Sequence, residues 1–417
     1  MGASDKPALL FLSPIMPALG GNGLAMRAGT TLEALAADYT VHLLVIPVAA
    51  PAEPPGEAVR RWSARVLVHP AGRHVDPLFQ LIAGVRDPGE QLAALLGYPR
   101  PILCRFATSA SVREAAELAT GPAYRAVHVF RLYLAPFAEP YLAWPGPGRL
   151  DCRLDLDDDE PATRRRIARL LREDGNEQAA LAEESEAERY EALDAALLPR
   201  FDRVYVASAA DRDRVAARHP GADVAVLENV VRLPRPAAPS PAGDPFTFMF
   251  VANFGYYPND EAARYFCAQV LPLLRASARR PFRVRFVGAN PSAAVRRLAA
   301  EPEVTVTGQV GDVTPWYESA HAVVVPVRAG GGTRIKVLEA FAYRRPVVST
   351  LAGAEGLGAT ACRHLLIADA PDSFAAACLR LMEEPSLGRA LAGRSAAFVR
   401  QRGPAGLRET LAGRRAP

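Results

Sequence analysis

The stretch AVVVPVRAGGGTRIKVLEAFAYRRPVVS, residues 322–349, contains the pattern that repeats along most of this 417-residue chain. An apolar run over 322–327 predicts a buried strand, residues 335–343 have helical spacing, and 346–349 predicts another strand. Repeated strand–helix–strand order favours parallel sheets covered by helices on both faces, the α/β class. The same signals predict strands at 9–13, 41–48, 65–68, 126–130, 152–156, 203–207, 224–227, 246–252, 283–287, 304–307 and 364–367.

Composition excludes several classes of protein. Hydrophobic residues make up 50% of the chain and charged residues 23%, which is typical of globular proteins and excludes wholesale disorder. The sequence has no apolar run long enough to span a membrane, no signal-peptide layout at its start, and no C-x-x-C pair among its five cysteines. A net charge of +4 is too small to indicate nucleic acid. We therefore expect a multidomain cytoplasmic protein without a disulfide framework or a nucleic-acid partner.

A proline-rich segment divides the chain. Residues 232–245, RLPRPAAPSPAGDP, contain five prolines, which exclude a helix interior or a central strand. We interpret this segment as a linker between residues 1–231 and 246–417, each long enough for one doubly wound Rossmann-like domain. In this interpretation the last helix can pack back on the first domain.

Three glycines at 330–332 precede a helix and predict an anion site. Backbone amides at a helix start, the Thr333 hydroxyl, and the Arg334 and Lys336 cations suit a diphosphate. Residues two apart on a helix diverge by about 200°, so both cations reach one anion only if the first turn is irregular. Glu339, one turn beyond Lys336, could accept two ribose hydroxyls. The alternative is a glycine-rich turn before a solvated helix.

A second glycine-rich turn, Gly20-Gly21-Asn22-Gly23, follows the first predicted strand. Glycines allow a ligand to approach the backbone, and amides at the following helix start suit an anion or a polar sugar. Such turns are also common for steric reasons alone. The spacing is not the G-x-G-x-x-G dinucleotide fingerprint.

The acidic run Asp155-Leu-Asp157-Asp158-Asp159-Glu160 allows three interpretations. Asp155 and Asp157 have a spacing with which some enzymes hold a divalent metal through hard oxygen ligands. Acids before a proline and a helix are also favoured by helix electrostatics. We prefer a position for Asp157 or Asp158 at a strand end beside the ligand.

Two basic side chains near the end of another strand are further candidates. His128 and Arg131 belong to the run Val127-His-Val-Phe-Arg131, and either could face the ligand. A lone histidine on an apolar strand is more often a core residue.

The region 160–197 has helical spacing, and Gly175 with Asn176 predicts a break into two helices. Within it, residues 163–172 are basic and amphipathic. This segment could bind an anionic membrane surface, or it could be a solvated face packed on the core.

The sequence resembles a known family on several motifs in order. GGGTRIKVLEAFAYRRPVVSTLAGAEGL looks like the donor-site signature of family-4-type retaining glycosyltransferases, which have the GT-B fold. FMFVANFGYYPNDEAARYF, VRFVGANP and VTVTGQVGDVTPWYESAHAVVVPVRAGGGTR look like the rest of that family's C-terminal domain. The similarity is good over 200–360 and only in outline over 1–160.

This resemblance implies two Rossmann-like domains whose parallel sheets face each other across a cleft. It implies a nucleoside-diphosphate sugar donor, a UDP-sugar as first choice, held by the second domain, and an acceptor held by the first. Transfer would retain the anomeric configuration and need no metal and no cofactor. The acceptor would be a small molecule, a glycan or a lipid-linked glycan, the last consistent with a place at the inner face of the plasma membrane.

The resemblance also assigns residues, with two departures from the family pattern. Glu339 matches the second glutamate of the family's Glu-x7-Glu signature, whereas Gly331 stands where the first belongs. The family's basic pair is missing from residues 251–259, so we assign the diphosphate charge to Arg334 and Lys336. Candidate catalytic residues are Lys336, Arg334, Asp157, His128 and Arg131; candidate donor-binding residues are Glu339, Gly331, Gly332, Thr333, Gly20, Gly21, Asn22, Gly23, Asn253, Gln309 and Val310.

Two other functions fit the same sequence. A nucleotide-sugar epimerase or hydrolase on this architecture would need no acceptor. A catalytically idle homologue that acts as a scaffold is the other alternative, because the first glutamate is missing.

Overall fold

The computed structural model describes residues 6–143, 148–232, 238 and 241–413. The chain divides into two compact units, one formed by Met1–Asn229 with Pro404–Pro417 and the other by Val230–Gly403. Each unit is built on one sheet.

The sheet of the first unit has seven strands, β1 (Ala8–Ser13), β2 (Thr40–Val45), β3 (Arg65–Val68), β4 (Tyr124–Phe130), β5 (Asp151–Asp157), β6 (Arg203–Val206) and β7 (Val224–Val226). They are all parallel, in the order β3-β2-β1-β4-β5-β6-β7. Its helices are α1 (Gly23–Asp38), α2 (Glu57–Trp62), α3 (Pro77–Ala83), α4 (Pro88–Leu96), α5 (Ser109–Leu118), α6 (Glu139–Leu142), α7 (Glu160–Glu173), α8 (Glu177–Leu197), α9 (Ala209–Arg218) and α18 (Pro404–Leu411).

The sheet of the second unit has six strands, β8 (Phe246–Val251), β9 (Phe282–Val287), β10 (Val304–Val306), β11 (Ala322–Val325), β12 (Val347–Ser349) and β13 (Leu366–Ile367). They too are parallel, in the order β10-β9-β8-β11-β12-β13. Its helices are α10 (Tyr257–Tyr265), α11 (Leu271–Ser277), α12 (Ala293–Arg297), α13 (Thr314–Glu318), α14 (Ile335–Ala342), α15 (Leu351–Ala354), α16 (Pro371–Glu383) and α17 (Pro385–Arg400).

The central strands are buried because both of their faces are apolar. Leu10, Val127 and Leu154, on three neighbouring strands of the first unit, are all fully buried in one hydrophobic core. The two sheets confirm the α/β prediction. In each sheet the strand order reverses once, between β1 and β4 and between β8 and β11. In open parallel sheets such switch points, at the carboxyl ends of the strands, are where ligands bind.

The predicted pair of helices over 160–197 is confirmed. Gly175 adopts a φ of +75°, and the Asn176 side chain accepts a hydrogen bond from the backbone N–H of Ala179 at 3.2 Å. The glycine therefore ends α7, and the asparagine caps the start of α8.

The division of the chain differs in detail from the predicted one. The first segment of the first unit ends at Asn229, two residues before the predicted boundary. Residues 233–237 and 239–240 of the predicted linker lie outside the described residues. Helix α18 packs on α1 within the first unit, where the Arg408 guanidinium pairs with the Asp38 carboxylate at 2.5 Å. The last helix thus returns to the first sheet.

Candidate functional site

The loop between β11 and α14 lies at the switch point of the second sheet. Helix α14 begins at Ile335, and Arg334 is its N-cap residue with a φ of −81° and a ψ of 92°. Arg334 is therefore outside the helix, while Lys336 is in its first turn. The divergence of about 200° that a continuous helix would impose does not apply to these two side chains. Gly331, Gly332 and Thr333 lie in the loop and are partly exposed.

The Arg334 guanidinium is buried inside this glycine loop. The side chain is 9% exposed, and its Nη1 donates to the carbonyl oxygen of Gly331. Its Nε and Nη2 have no hydrogen-bond partner among the described residues. Gly330 has a φ of +127°, and a Cβ there would lie 2.8 Å from Nη2, so only glycine fits. Buried polar groups usually have partners, which makes these two nitrogens a candidate anion site.

The Lys336 amine is held by a neutral amide. Its Nζ donates to the Oδ1 of Asn259 at 2.6 Å and lies 4.8 Å from the centre of the Phe250 ring. Burial, with a smaller contribution from repulsion by Arg334, lowers the pKa of Lys336 to about 7, while Glu339 opposes the shift. Near neutral pH this amine can therefore gain or lose a proton.

The Glu339 carboxylate lies one turn farther along α14, against an aromatic wall. Tyr317 donates its hydroxyl hydrogen to Oε2 of Glu339 at 3.4 Å, and its ring stacks on Tyr343 with centroids 4.5 Å apart. Burial raises the pKa of Glu339 to about 7, against the effects of the Tyr317 hydrogen bond and of Lys336. The carboxylate oxygens are thus partly removed from water, and one of them accepts from the Tyr317 hydroxyl.

The other predicted donor residues of this unit follow neighbouring strands. The Asn253 Oδ1, after β8, accepts from the Gly255 N–H at 3.0 Å and from the Asn290 Nδ2 at 3.1 Å. Gln309 is exposed and Val310 partly exposed, both in the turn after β10. Asn253 therefore shapes its own turn, and the structure places Gln309 and Val310 at the carboxyl edge of the sheet.

The predicted glycine turn of the first unit follows β1. The Asn22 Oδ1 accepts from the Ala25 N–H at 2.8 Å and caps α1, in which Gly23 is the first residue. Gly21 has a φ of +96°, which favours glycine. A Cβ at Gly20 would meet nothing within 4 Å, so packing does not require glycine there. The turn is open to solvent at Gly20 and Gly21.

The acidic run is neutralised by two buried arginines. Arg27, on α1, donates from Nη2 and Nε to the two oxygens of Asp155 at 2.7 and 3.0 Å. Arg131 pairs with Asp157 at 3.2 Å and with Asp158 at 2.8 Å. Within the described residues, no three His, Cys, Asp or Glu side chains are grouped so that they could hold a metal ion. The carboxylates at this edge are therefore engaged by cations of the chain itself.

Arg131 is placed differently from the prediction. The side chain is 8% exposed, and its guanidinium also pairs with Glu160, so it points into the acidic run rather than presenting a free cation. Its φ of +77° is in the left-handed region, as is the φ of +67° of Asp157 on the neighbouring strand. Strained backbone of this kind is held by its surroundings and is enriched at functional sites.

The expectation that His128 faces the ligand is corrected. Its side chain is fully buried, with ring centroids 5.4 Å from Phe11 and 6.1 Å from Tyr205. Burial, together with repulsion from Arg153 and Arg27, lowers the pKa of His128 to about 3. His128 is a neutral core residue because it precedes the end of β4 by two positions.

The basic segment 163–172 is also corrected as a membrane contact. Its arginines pair with glutamates of α8, Arg164 with Glu183 at 3.0 Å and Arg172 with Glu184 at 2.5 Å. Its apolar residues Ile167, Leu170 and Leu171 are buried. The segment therefore packs inward with its charges neutralised. Among the described helices, none combines the length and the apolar character that crossing a bilayer requires.

Three residues of these sites were not predicted. Asn259 and Tyr317 contact Lys336 and Glu339, and Arg27 holds Asp155. In the sequence, Asn259 is distinguished only by its place in GYYPNDEAARYF, one of the segments that resemble the family. Tyr317 and Arg27 are ordinary helix residues. Each lies far along the chain from the residue it contacts: Asn259 is 77 residues from Lys336, Tyr317 is 22 from Glu339, and Arg27 is 128 from Asp155.

The second unit matches a known family. Residues 245–384 match the model of the family described as glycosyl transferases group 1. No curated protein matches the chain at a significant level.

Solved structures match the whole chain. Sucrose-phosphate synthase from Thermosynechococcus elongatus has a TM-score of 0.67 at 15% identity, over 98% of each chain. A TarM variant from S. aureus, in complex with UDP among other ligands, has a TM-score of 0.65 at 8% identity, over 98% of this chain and 99% of TarM. HepE from Anabaena, in complex with UDP and glucose, has a TM-score of 0.61 at 14% identity, over 98% of each chain. At these identities the likeness establishes the fold, which is GT-B.

Proposed function

We propose that the protein is a glycosyltransferase that moves a sugar from a nucleoside-diphosphate sugar, a UDP-sugar as first choice, to an acceptor hydroxyl with retention of configuration. The observation that carries this proposal is the buried Arg334 guanidinium, two of whose nitrogens lack a partner among the described residues. The family match of residues 245–384 and the UDP held by the similar structures of HepE and TarM support it.

The diphosphate is assigned to the loop before α14. Arg334 would donate to phosphate oxygens from Nε and Nη2, with Lys336 as a second cation and the amides of Gly331 to Thr333 as further donors. Because both free nitrogens are shielded from solvent, the anion must displace part of the loop, which its glycines allow. These groups would stabilise the charge that grows on the diphosphate as the glycosidic bond breaks.

The nucleoside is assigned to Glu339 and the turn after β10. The carboxylate would accept the 2′- and 3′-hydroxyl hydrogens of the ribose, as acids do in nucleotide-binding folds. Gln309 and Val310 would lie beside the base. The raised pKa of Glu339, about 7 in the empty site, would fall once two hydroxyls donate to it.

The acceptor is assigned to the carboxyl edge of the first sheet, with Gly20 to Gly23 near the transferred sugar. Asp157 would act there as an oriented acceptor of a hydroxyl hydrogen, with Arg131 as its positioning partner. In the transfer step the acceptor oxygen bonds to the anomeric carbon, the bond to the diphosphate oxygen breaks, and the acceptor proton passes to that leaving oxygen. This route needs no enzymic nucleophile and consumes no cofactor.

Replacing Glu339 with alanine is expected to lower the affinity for UDP at least about 10- to 100-fold, because losing even one of its two hydrogen bonds to the ribose costs about 1.5–3 kcal/mol. Isothermal titration calorimetry of the wild type and the variant measures this. The melting temperature without ligand should change little, since the carboxylate is only partly buried.

A matched ligand sharpens this test. 2′-Deoxy-UDP lacks one ribose hydroxyl, so it should bind the wild type more weakly than UDP does, and the Glu339→Ala variant should no longer distinguish the two. A variant that still prefers UDP as strongly as the wild type does would remove Glu339 from the ribose site.

Chelation is expected to leave transfer unchanged. The carboxylate oxygens of Asp155 and Asp157 accept hydrogen bonds from Arg27 and Arg131, so the acidic run is not set up as a metal site. Donor turnover would be compared with EDTA and after addition of Mg²⁺ or Mn²⁺. Loss of activity with EDTA and its recovery with metal would show instead that the acids exchange their arginines for a cation.

The donor class is tested by thermal shift with UDP, GDP, ADP and TDP. A ligand at about 100 times its dissociation constant stabilises the native state by about 2.7 kcal/mol. Products formed without an acceptor would favour the epimerase or hydrolase alternative. Failure of all four nucleotides and of their sugar conjugates to bind would leave the scaffold alternative, which the missing first glutamate at Gly331 favours.

A further inference from the structure

Asn259 uses both ends of its side-chain amide to join the diphosphate loop to the neighbouring strand. Its Oδ1 accepts from the Lys336 Nζ at 2.6 Å, and its Nδ2 donates to the Asn253 carbonyl oxygen at 2.8 Å. The side chain is 8% exposed. Its orientation is therefore fixed, with the oxygen facing the lysine.

The anchor of this amide is itself held in place. Asn253 follows β8, and its side-chain oxygen accepts from the Gly255 N–H and from the Asn290 Nδ2. Asn290 follows β9. A chain of amides thus runs from the ends of two strands through Asn259 to Lys336 on α14. Rotation of the Asn253 and Asn259 side chains is resisted, because Asn253 accepts two hydrogen bonds and Asn259 makes one at each end of its amide.

The charged residues beside Asn259 on α10 are paired away from the lysine. Asp260 pairs with Arg264 at 2.8 Å, and Glu261 pairs with Arg328 at 2.5 Å. The Lys336 amine donates instead to the Asn259 side chain, whose amide oxygen is a neutral acceptor.

Two charged groups near Lys336 act on its amine electrostatically. Arg334 lowers its pKa and Glu339 raises it, both on or next to α14. Tyr317, on α13, donates its hydroxyl hydrogen toward the Lys336 carbonyl oxygen at 3.5 Å and so contacts its backbone. On β8 the amine faces the ring of Phe250. The Asn259 oxygen is thus the directional polar contact that positions the amine.

We propose that Asn259 is the positioning residue of the diphosphate site: its amide oxygen aims the Lys336 amine at the anion and sets the pH range in which that amine carries its proton. This inference rests on the proposed function. A neutral acceptor releases the amine to a phosphate without breaking an ion pair, which a carboxylate at this position would not do. Binding of the diphosphate then favours the protonated amine, and the protein takes up a proton as the donor binds.

Because binding of the diphosphate favours the protonated Lys336 amine, UDP affinity depends on pH in a definite direction. Below the pKa of the free amine, Lys336 is already charged and its protonation no longer affects UDP affinity; the Glu339 carboxyl, whose pKa is also about 7, weakens binding as the pH falls there, a dependence that Lys336→Arg shares with the wild type. Above it, binding must also protonate the amine, so affinity falls as the pH rises from about 7. Asn259→Asp adds a negative charge beside the amine and should move the onset of this fall to higher pH. Asn259→Ala removes the oxygen that stabilises the charged amine and should move the onset to lower pH.

The experiment is calorimetric titration of UDP into the wild type and both variants over about pH 6–9. At the lowest pH, Asn259→Ala should bind UDP about five- to tenfold more weakly, because the amine is charged but no longer aimed. Lys336→Arg provides the baseline for the ionisation of UDP itself, since its guanidinium stays charged throughout. Asp260→Ala, one residue along α10, is the matched truncation that leaves the amide chain intact and should follow the wild-type profile.

The outcomes separate the two proposals. If the wild type binds none of UDP, GDP, ADP and TDP, both the diphosphate assignment and the role of Asn259 are overturned; if it binds one of the others instead, that nucleotide replaces UDP in this titration. If the wild type binds and Lys336→Arg flattens its profile, but the Asn259 variants keep the wild-type onset, only the role of Asn259 is wrong. A uniform loss of affinity without a shift of the onset would mark Asn259 as merely structural. Should Asn259→Asp fail to fold, the downward shift in Asn259→Ala decides alone.

Discussion

Replacing Arg334 with alanine is expected to weaken UDP binding by roughly 100-fold or more and to abolish transfer. Truncating one partner of a desolvated, hydrogen-bonded charge pair costs about 2–5 kcal/mol, and 1.4 kcal/mol is a factor of ten. The Arg334 guanidinium is 9% exposed, and two of its nitrogens have no partner among the described residues. A diphosphate would supply those partners, so the loss should be larger here than at Lys336, whose amine already has one.

Stability separates this binding role from a structural one. A buried guanidinium with unsatisfied donors costs free energy in the empty protein, so Arg334→Ala should unfold at the same temperature as the wild type or higher. Arg344→Asn is the matched control, because it removes an exposed cation just beyond α14 at a φ of +57°, which asparagine tolerates. It should bind UDP as the wild type does. A lower melting temperature for Arg334→Ala with unchanged affinity would make the arginine a structural residue.

The strands were predictable because they are buried on both faces. A parallel strand inside two helical layers must be apolar throughout, so runs such as 246–252 and 322–327 are visible without homologues. Their ends were less predictable: β11 stops at Val325 although the apolar run continues to Val327. A strand ends where its neighbours stop pairing, which local composition does not encode.

The candidate site was only partly predictable, because local sequence shows which groups are present and not which groups meet. The loop glycines, Arg334 and Lys336 are adjacent in the chain and mark an anion site by type alone. Asn259, which holds Lys336, lies 77 residues away from it. His128 shows the converse: a functional residue type lies in the core because β4 is buried on both faces and His128 is two residues before its end.

The acidic run shows the same limit. Its position before Pro161 and α7 is explained by helix electrostatics, as the sequence indicated, since the Asp159 carboxylate accepts from the Ala162 N–H. Its partners were not visible in the local sequence: Arg27 lies 128 residues from Asp155. The spacing of Asp155 and Asp157 fitted a metal site until Arg27 and Arg131 were placed beside them.

Replacing Asp155 with alanine is expected to lower the free energy of unfolding of the first unit by about 3–5 kcal/mol, the cost of leaving a buried charge without its partner. Arg27 is 2% exposed and Asp155 is fully buried, and their ion pair is bidentate. Urea unfolding followed by probes in each unit measures this, since two units need not unfold together. The Arg27→Met, Asp155→Leu double variant should regain part of the loss, because apolar residues of similar volume remove both buried charges.

The function of the Asp155 variant distinguishes a scaffold from a ligand-binding group. Asp155 also accepts from the Asp157 backbone N–H at 3.0 Å, which holds the turn in which Asp157 adopts its φ of +67°. Under conditions where Asp155→Ala remains folded, UDP should still bind, because the diphosphate loop belongs to the other unit, while transfer to the acceptor should fall. A variant that unfolds as the wild type does but loses UDP would contradict this, since it would place Asp155 in the donor site rather than beneath the acceptor turn.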